Sequence, residues 1–338
     1  MLIKKDFSLK PYNTFGLDVF AHRLAIIPSL VELRNLYNNG ELTKSKVLIL
    51  SQGSNILFKD NVSDLVLLNE IFGKEVIDEN EENVILKVSS GESWPDLVEY
   101  TVDRGWGGLE NMTDIPGKVG AAPIQNIGAY GAELKDVLIS LEAFDMCNGE
   151  LVNFTNKQCE FDYRSSVFKT KFKNRYFITS VLIKLTKNPK INLSYQPLAE
   201  AFAGKHRSEI SLKEVSARIS EIRSSKLPDP EKLNNAGSFF KNPIVNLDKL
   251  NSLVAEYSSM PSYPAGKEQY KIPAAWLIEQ CGWKGRRVGD VGVYEKQALV
   301  LINYDKATGN EILEFANSIQ KSVIEKFGVS LELEVNVV

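Results

Sequence analysis

Apolar runs and amphipathic stretches alternate along this chain, and their two periods separate cleanly. Short apolar runs at residues 24–27, 46–50, 64–68, 84–88 and 176–185 predict strands. Ser29 and Glu32 form a capping box before a helical pattern that stops near Gly40. Ser93 opens a second helix through Val102, halted by Gly105. Residues 137–145 and 150–154 flank Asn148-Gly149, a hairpin dipeptide. Ser211 and Glu214 make a second capping box, and Leu227-Pro-Asp-Pro230 ends the helix they open at about Lys226. Past that point, residues 247–257, 274–281 and 310–327 predict helices; in the last, Ile312, Phe315, Ile319, Val323 and Phe327 line one face. The period then drops to two. Val329, Leu331, Leu333, Val335 and Val337 share one face of a predicted strand over 329–337, while Ser330, Glu332, Glu334 and Asn336 share the other. Pattern alone assigns those carboxylates to a solvated face.

Mixed strands and helices point to an α+β chain, and the 338 residues allow roughly two or three domains. The Pro-rich segment 227–230 is the clearest boundary. A net charge of −3 and a pI near 5.7 give no global reason to expect nucleic acid or an anionic membrane as partner. Cys147, Cys159 and Cys281 are odd in number and far apart, which fits a reducing cytosol rather than a disulfide framework. The first ten residues hold no apolar signal core, and no run reaches the ~18 apolar residues of a span, so a cytoplasmic protein is expected. The two histidines, His22 and His206, rule out an HExxH pair, and no CxxC occurs, so no metal site is expected. His22 reads as a packed or surface residue. Acid–base chemistry must come mainly from Ser, Tyr, Lys, Glu or Asp.

Three segments could carry chemistry. In 115–131, Gly117, Gly120, Gly128 and Gly131 are interleaved with Ala121, Ala122 and Ala129. Small side chains let a ligand approach the backbone, and glycine turns can aim several N–H groups at a pyrophosphate; a tightly wound structural loop is the alternative. Gln52-Gly-Ser-Asn55, after a strand, offers further donors. No GxxxxGK[ST] occurs, and Gly105-Trp-Gly-Gly-Leu-Glu110 ends in Glu where a dinucleotide fingerprint has glycine. Second, Ser238 follows two small residues in 235–243, and Ser238-x-x-Lys241 matches the nucleophile motif of serine acyl-transferases. Ser166-x-x-Lys169 and Ser318-x-x-Lys321 match it equally, and no SDN or KTG partner exists. Third, Arg164 lies among aromatics in 161–168, placed either to clamp a carboxylate or to stack on a ring.

Taken in order, Asn13-Thr-Phe-Gly16, Gly53-Ser-Asn55, Ile115-Pro-Gly117, Gln125-Asn-Ile-Gly-Ala-Tyr-Gly131, Tyr163-Arg164, Lys226-Leu-Pro-Asp-Pro230, Ala236-Gly-Ser-Phe-Phe-Lys-Asn-Pro243, Trp276-Leu-Ile278 and Leu333-Glu-Val335 resemble the MurB reductase family, in its longer, type I form. The resemblance covers nearly the whole chain. It implies an FAD-binding fold of the vanillyl-alcohol-oxidase (PCMH) type in two lobes, 1–70 and 71–225, with an FAD region of about 17–188. A MurB-type α+β substrate-binding domain would follow over 226–338, its last strand returning to the active site. By position, Arg164, Ser238 and Glu334 match the family's catalytic residues, and Tyr163, Tyr195, Lys226, Asn242, Tyr263, Lys284 and Gln297 match positions that hold the substrate or its uridine diphosphate. Gly53, Ser54, Asn55, Ile115, Pro116, Gly117, Gly120, Ala121, Gln125, Asn126, Gly128, Ala129, Tyr130 and Gly131 match the FAD cradle. Two departures stand out: the family usually has glycine near Ser51 and Gln52, and proline often replaces Leu333.

The implied reaction adds hydrogen across an enol-ether double bond of a UDP-linked enolpyruvyl sugar. By the resemblance, tightly bound, non-covalent FAD, reduced by NADPH, would supply the hydride for the vinyl carbon. Arg164, with Lys226, would meet the enolate that results. Ser238 would protonate the adjacent carbon, and Glu334 would act as a neutral hydrogen-bond donor. One site serving NADPH and substrate in turn predicts ping-pong kinetics, and a monomer is expected. The alternatives are another flavoprotein oxidoreductase of the same fold, a non-catalytic nucleotide-binding protein and a serine acyl-transferase.

Overall fold

The computed structural model describes residues 3–338; residues 1 and 2, where the segment searched for a signal core begins, lie outside the described residues. Two compact units divide the chain. The first takes the residues up to Phe7, then Ala21–Gln52 and Val62–Ser225; the second collects Ser8–Phe20, Gly53–Asn61 and Lys226–Val338.

A four-stranded sheet runs through the first unit in the order Lys4–Ser8, Phe20–Ile27, Val62–Asn69, Val47–Leu50. Val62–Asn69 pairs in parallel with both of its central neighbours, and Leu65–Leu68 are buried without interruption. Burial on both faces is why that strand reads as a continuous apolar run. Leu33 and Leu36 of the helix Leu30–Asn38 share its core. The predicted box at this helix forms by half: Ser29 Oγ accepts from the Glu32 N–H at 3.4 Å, while Glu32 Oε2 is buried without a hydrogen-bond partner.

The second sheet of this unit is antiparallel throughout, in the order Leu151–Thr155, Leu138–Asp145, Tyr176–Thr186, Asn83–Ser89, Lys74–Glu79. Val84, Leu86 and Val88 turn alternate positions inward. There they join Trp94, Leu97 and Val98 of the helix Trp94–Asp103 and Leu212, Val215 and Ile219 of the helix Leu212–Lys226. Both capping bonds form at Ser211 and Glu214. The Asn148-Gly149 hairpin closes as expected, with Gly149 at φ 78° donating to Asp145 O.

In the second unit, Asn234–Ser238, Val300–Asn303, Val291–Val293 and Arg287–Val288 form an antiparallel sheet. Ile244–Asn246, Gln269–Lys271 and Tyr263–Pro264 form a smaller one. The helices are Leu247–Glu256, Ala274–Gln280 and Gly309–Phe327. The last is capped by Thr308 and Glu311, closed by Gly328 at φ 58°, and buries the predicted stripe.

The strand predicted over 329–337 is corrected. Burial does alternate, with Val329, Leu331 and Val335 inside, but only Asn336–Val337 is a strand. The segment changes partners midway. Leu333 bridges Phe240, Lys241 N donates to Glu332 O, and Glu334 N donates to Phe239 O. Asn336–Val337 then pairs in parallel with Ile56–Leu57. No single neighbour runs its full length. Among the described residues, no helix is long and apolar enough to cross a membrane.

Candidate active site

The glycine-rich loop of the first unit is a wound structure with a small accessible surface. Lys118 is extended, and Val119–Ile124 is a 3-10 helix that buries Val119, Gly120, Ala122 and Pro123. In the first half of the loop four consecutive N–H groups meet acceptors from the protein itself. Gly117 N donates to Gln52 Oε1 at 2.9 Å, Lys118 N to Ser51 Oγ at 3.0 Å, Val119 N to Glu92 O, and Gly120 N to Ser90 O. The side chains of Ser51 and Gln52 staple the strand end to this loop. Burial lowers the Lys118 ammonium from its ordinary range, with Glu70 opposing, and its Nζ donates to Asn69 O at 2.6 Å.

Glycine is needed at Gly120 by the protein itself, because a Cβ there would lie 2.6 Å from Ser90 Cβ. The second half is fixed by side chains. Asn126, fully buried at φ 45°, donates to Glu133 Oε2 and Asp162 O and accepts from Lys135 N. Tyr130 is also left-handed, at φ 50°. Backbone strain at non-glycine residues is tolerated where neighbours over-determine it, as here. Ala121, Gln125, Ala129, Tyr130 and Gly131 keep surface. The small residues Ala121, Ala129 and Gly131 leave room for a ligand to approach the backbone closely.

Arg164 is delivered to this loop. Asp162 and Ser165 exchange backbone hydrogen bonds at 3.1 Å across a tight turn, with Tyr163 and Arg164 at its tip and Arg164 at φ 52°. Its Nη2 donates to Gly128 O at 2.9 Å, and its guanidinium stands 5.6 Å from the Tyr163 ring centre. The arginine thus meets a ring, as one sequence reading expects, and its guanidinium is oriented by a loop carbonyl. Tyr195 joins the same cluster, edge-on to Tyr130 with ring centres 5.0 Å apart. The Arg223 guanidinium acts electrostatically on the Tyr130 phenol. Burial raises that phenol above its ordinary range, and Arg223 pulls it the other way. Burial likewise lowers Arg223.

The second unit assembles its own group. Ser238 ends the strand Asn234–Ser238 just past a bulge, behind Gly237 at φ 67°, and pairs with Val300. Gln297 sits at the turn into that partner strand, where Val300 N donates to its carbonyl. Glu334 N donates to Phe239 O, and Asn55 Nδ2 donates to Glu334 O at 3.3 Å. Ser238, Glu334 and Asn55 are thus held along one stretch of backbone. Gly53, at φ 66°, brings its own segment against Tyr12 O, 1.9 Å from where a Cβ would stand, and Ser54 lies between Gly53 and Asn55. Asn242 Oδ1 accepts from Ala274 N, at the start of Ala274–Gln280. Tyr263 is exposed on the small sheet, Lys284 pairs with Glu279 at 2.8 Å, and Lys226 is exposed at the end of its helix. No bond ties these three to Ser238 among the contacts of the described residues.

Lys241 is paired with Glu332 at 2.9 Å. His22 is a surface residue against Asp6, as expected. Sequence reasoning missed Asn111, Asn192 and Arg223. The signal for Arg223 was present: it continues the buried stripe Leu212, Val215, Ile219 with a charge. No metal-holding cluster of His, Cys, Asp and Glu occurs among the described residues.

Residues 29–155 match the FAD binding domain family, and residues 229–338 match the C-terminal domain of UDP-N-acetylenolpyruvoylglucosamine reductase. The chain is 45% identical to the UDP-N-acetylenolpyruvoylglucosamine reductase of Flavobacterium johnsoniae, over 100% of both chains. It is 41% identical to that of Pseudomonas putida, over 98% of each. The crystal structure of the Thermus caldophilus reductase (MurB) superposes with a TM-score of 0.70 at 24% identity, covering 100% of this chain and 99% of that one, which establishes a shared fold. By its full-length identity to these relatives, the chain belongs to the UDP-N-acetylenolpyruvoylglucosamine reductase family.

Proposed function

We propose that this chain is an FAD-dependent reductase that uses NADPH to convert the enolpyruvyl group of UDP-N-acetylenolpyruvoylglucosamine to a lactyl ether, giving UDP-N-acetylmuramate for peptidoglycan. One observation carries the reading: Glu334 is locked by its backbone beside Phe239, next to Ser238. Two non-histidine proton carriers thus flank one strand end in a chain with two histidines. When bound, FAD supplies the hydride it has received from NADPH.

The protein's own work is charge and proton handling. Arg164, oriented by Gly128 O, meets the carboxylate on which enolate charge accumulates. Ser238 gives its hydroxyl proton to the carbon next to that carboxylate, a strong base that a weak acid can serve. Glu334, as a neutral acid, adds a hydrogen bond. Tyr195, Lys226, Asn242, Tyr263, Lys284 and Gln297, with Tyr163, hold the sugar nucleotide. Gly53–Asn55 and the residues named in 115–131 cradle the flavin. We read residues 1–70 and 71–225 as the two flavin lobes, 226–338 as the substrate domain, and the enzyme as a cytoplasmic monomer.

The purified protein should be yellow, bleach with NADPH under anaerobic conditions, and regain its colour with the enolpyruvyl nucleotide but not with simple alcohols or sugars. Double-reciprocal lines should run parallel. A folded preparation that stays colourless in excess FAD overturns this reading.

A further inference from the structure

The glycine-rich loop is laced to the segment that carries Tyr195. Asn111 is 2% exposed, and its Nδ2 donates to Tyr130 O at 2.8 Å and to Asn192 O at 3.0 Å. Two carbonyls facing one nitrogen fix the amide's orientation. The cost is visible, because Asn111 Oδ1 is buried with no hydrogen-bond partner. Asn192 completes the lacing: its Nδ2 donates to Gly131 O at 3.0 Å, and its Oδ1 accepts from Ser194 N at 3.0 Å. Ser194 Oγ lies 2.1 Å from where a Cβ on Gly131 would stand. Together with the Tyr130–Tyr195 ring contact, these bonds leave residues 130–131 and 192–195 little freedom to move separately.

We propose that Asn111 and Asn192 are positioning residues that couple the flavin loop to the Tyr195 segment, so that FAD on the loop sets the tyrosine for the substrate. This rests on the reductase reading. Coupling of this kind is reciprocal between the two ligands: FAD tightens the nucleotide by the factor by which the nucleotide tightens FAD.

Asn192→Ala is the principal test, since Asn192 is only partly buried; Asn111→Asp, isosteric but without the Nδ2 donor, is the second. In wild type, FAD should slow hydrogen exchange across 192–201 relative to the apoprotein, and Asn192→Ala should abolish that difference. Asn192→Ala should also raise KM for the enolpyruvyl nucleotide about tenfold, the scale of one lost hydrogen bond. Its FAD affinity and its rate of flavin reduction by NADPH should stay within about twofold of wild type. An unchanged KM, or an exchange difference that survives in Asn192→Ala, overturns the proposal. So does a parallel fall in FAD affinity and flavin reduction, which would mark a purely structural role. Failure of wild type to reduce the nucleotide would instead sink the reductase reading and leave the exchange experiment intact.

Discussion

The two units hold their chemistry by different means. In the first, Arg164, Tyr130 and the loop around them sit outside any long strand, fixed by side chains that reach backbone groups far away in sequence: Asn126 to Asp162 O, Asn111 to Asn192 O, Arg164 to Gly128 O. In the second, Ser238 and Glu334 are placed by backbone pairing, through the ladder to Val300 and the bonds to Glu332 and Glu334. A site built on side-chain staples should be lost through the staples. One built on a ladder should lose a functional side chain without losing its frame.

Ser238→Ala gives the sharpest contrast. It should leave the fold and NADPH-dependent flavin reduction intact but slow reduction of the enolpyruvyl nucleotide by ~10²–10⁴-fold, as removal of a positioned proton donor does. Stopped-flow kinetics of the two half-reactions separate these, and near-normal turnover would remove Ser238 from the mechanism.

Asn126→Ala should break the other side of the comparison. It deletes three hydrogen bonds at a fully buried, left-handed residue, and the loss should be on the order of 3 kcal/mol by denaturant titration. FAD retention should fall with it, whereas Ser238→Ala should retain flavin.

A smaller effect is expected at Asp145, whose buried carboxylate takes Arg175 Nη2 at 2.6 Å and Nε at 3.1 Å. Burial alone would raise this carboxyl, but the bonds from Arg175 and the Cys147 N–H outweigh it and hold it below the usual carboxylate range. Its contribution is therefore complete above the unfolded carboxylate's range and lost as pH falls through the lower native value. Asp145→Asn should cost about 1–2 kcal/mol at neutral pH. The two proteins should converge in acid, and a gap that persists there would contradict the ion pair.

The sequence shows the difference between the two units in what it reveals. Val62–Asn69 is legible because burial on both faces leaves an unbroken apolar run over Leu65–Leu68. Lys74–Glu79 is not, since that edge strand is almost wholly exposed and carries no pattern. Ser238 could be singled out from the small residues before it. Asn111 could not, because its partners lie 19 and 81 positions away, and nothing local distinguishes it from any other asparagine. The segment after Val329 shows the opposite error. Its alternation records which side chains are inside and says nothing of which neighbour supplies the hydrogen bonds, and that neighbour changes between Glu334 and Asn336.

The second unit also draws on three separated stretches of chain, with Ile56–Leu57 paired to Asn336–Val337. During synthesis, those early residues leave the ribosome while everything from Val62 to their mate Asn336–Val337 is still to be made, roughly fifteen to fifty-five seconds at ordinary elongation rates. For that interval the Ile56–Leu57 edge has no mate, and Leu57 and Phe58, both fully buried in the finished protein, have no core to enter. Nascent chains stalled before Lys226 should therefore be the aggregation-prone and chaperone-bound species in expression.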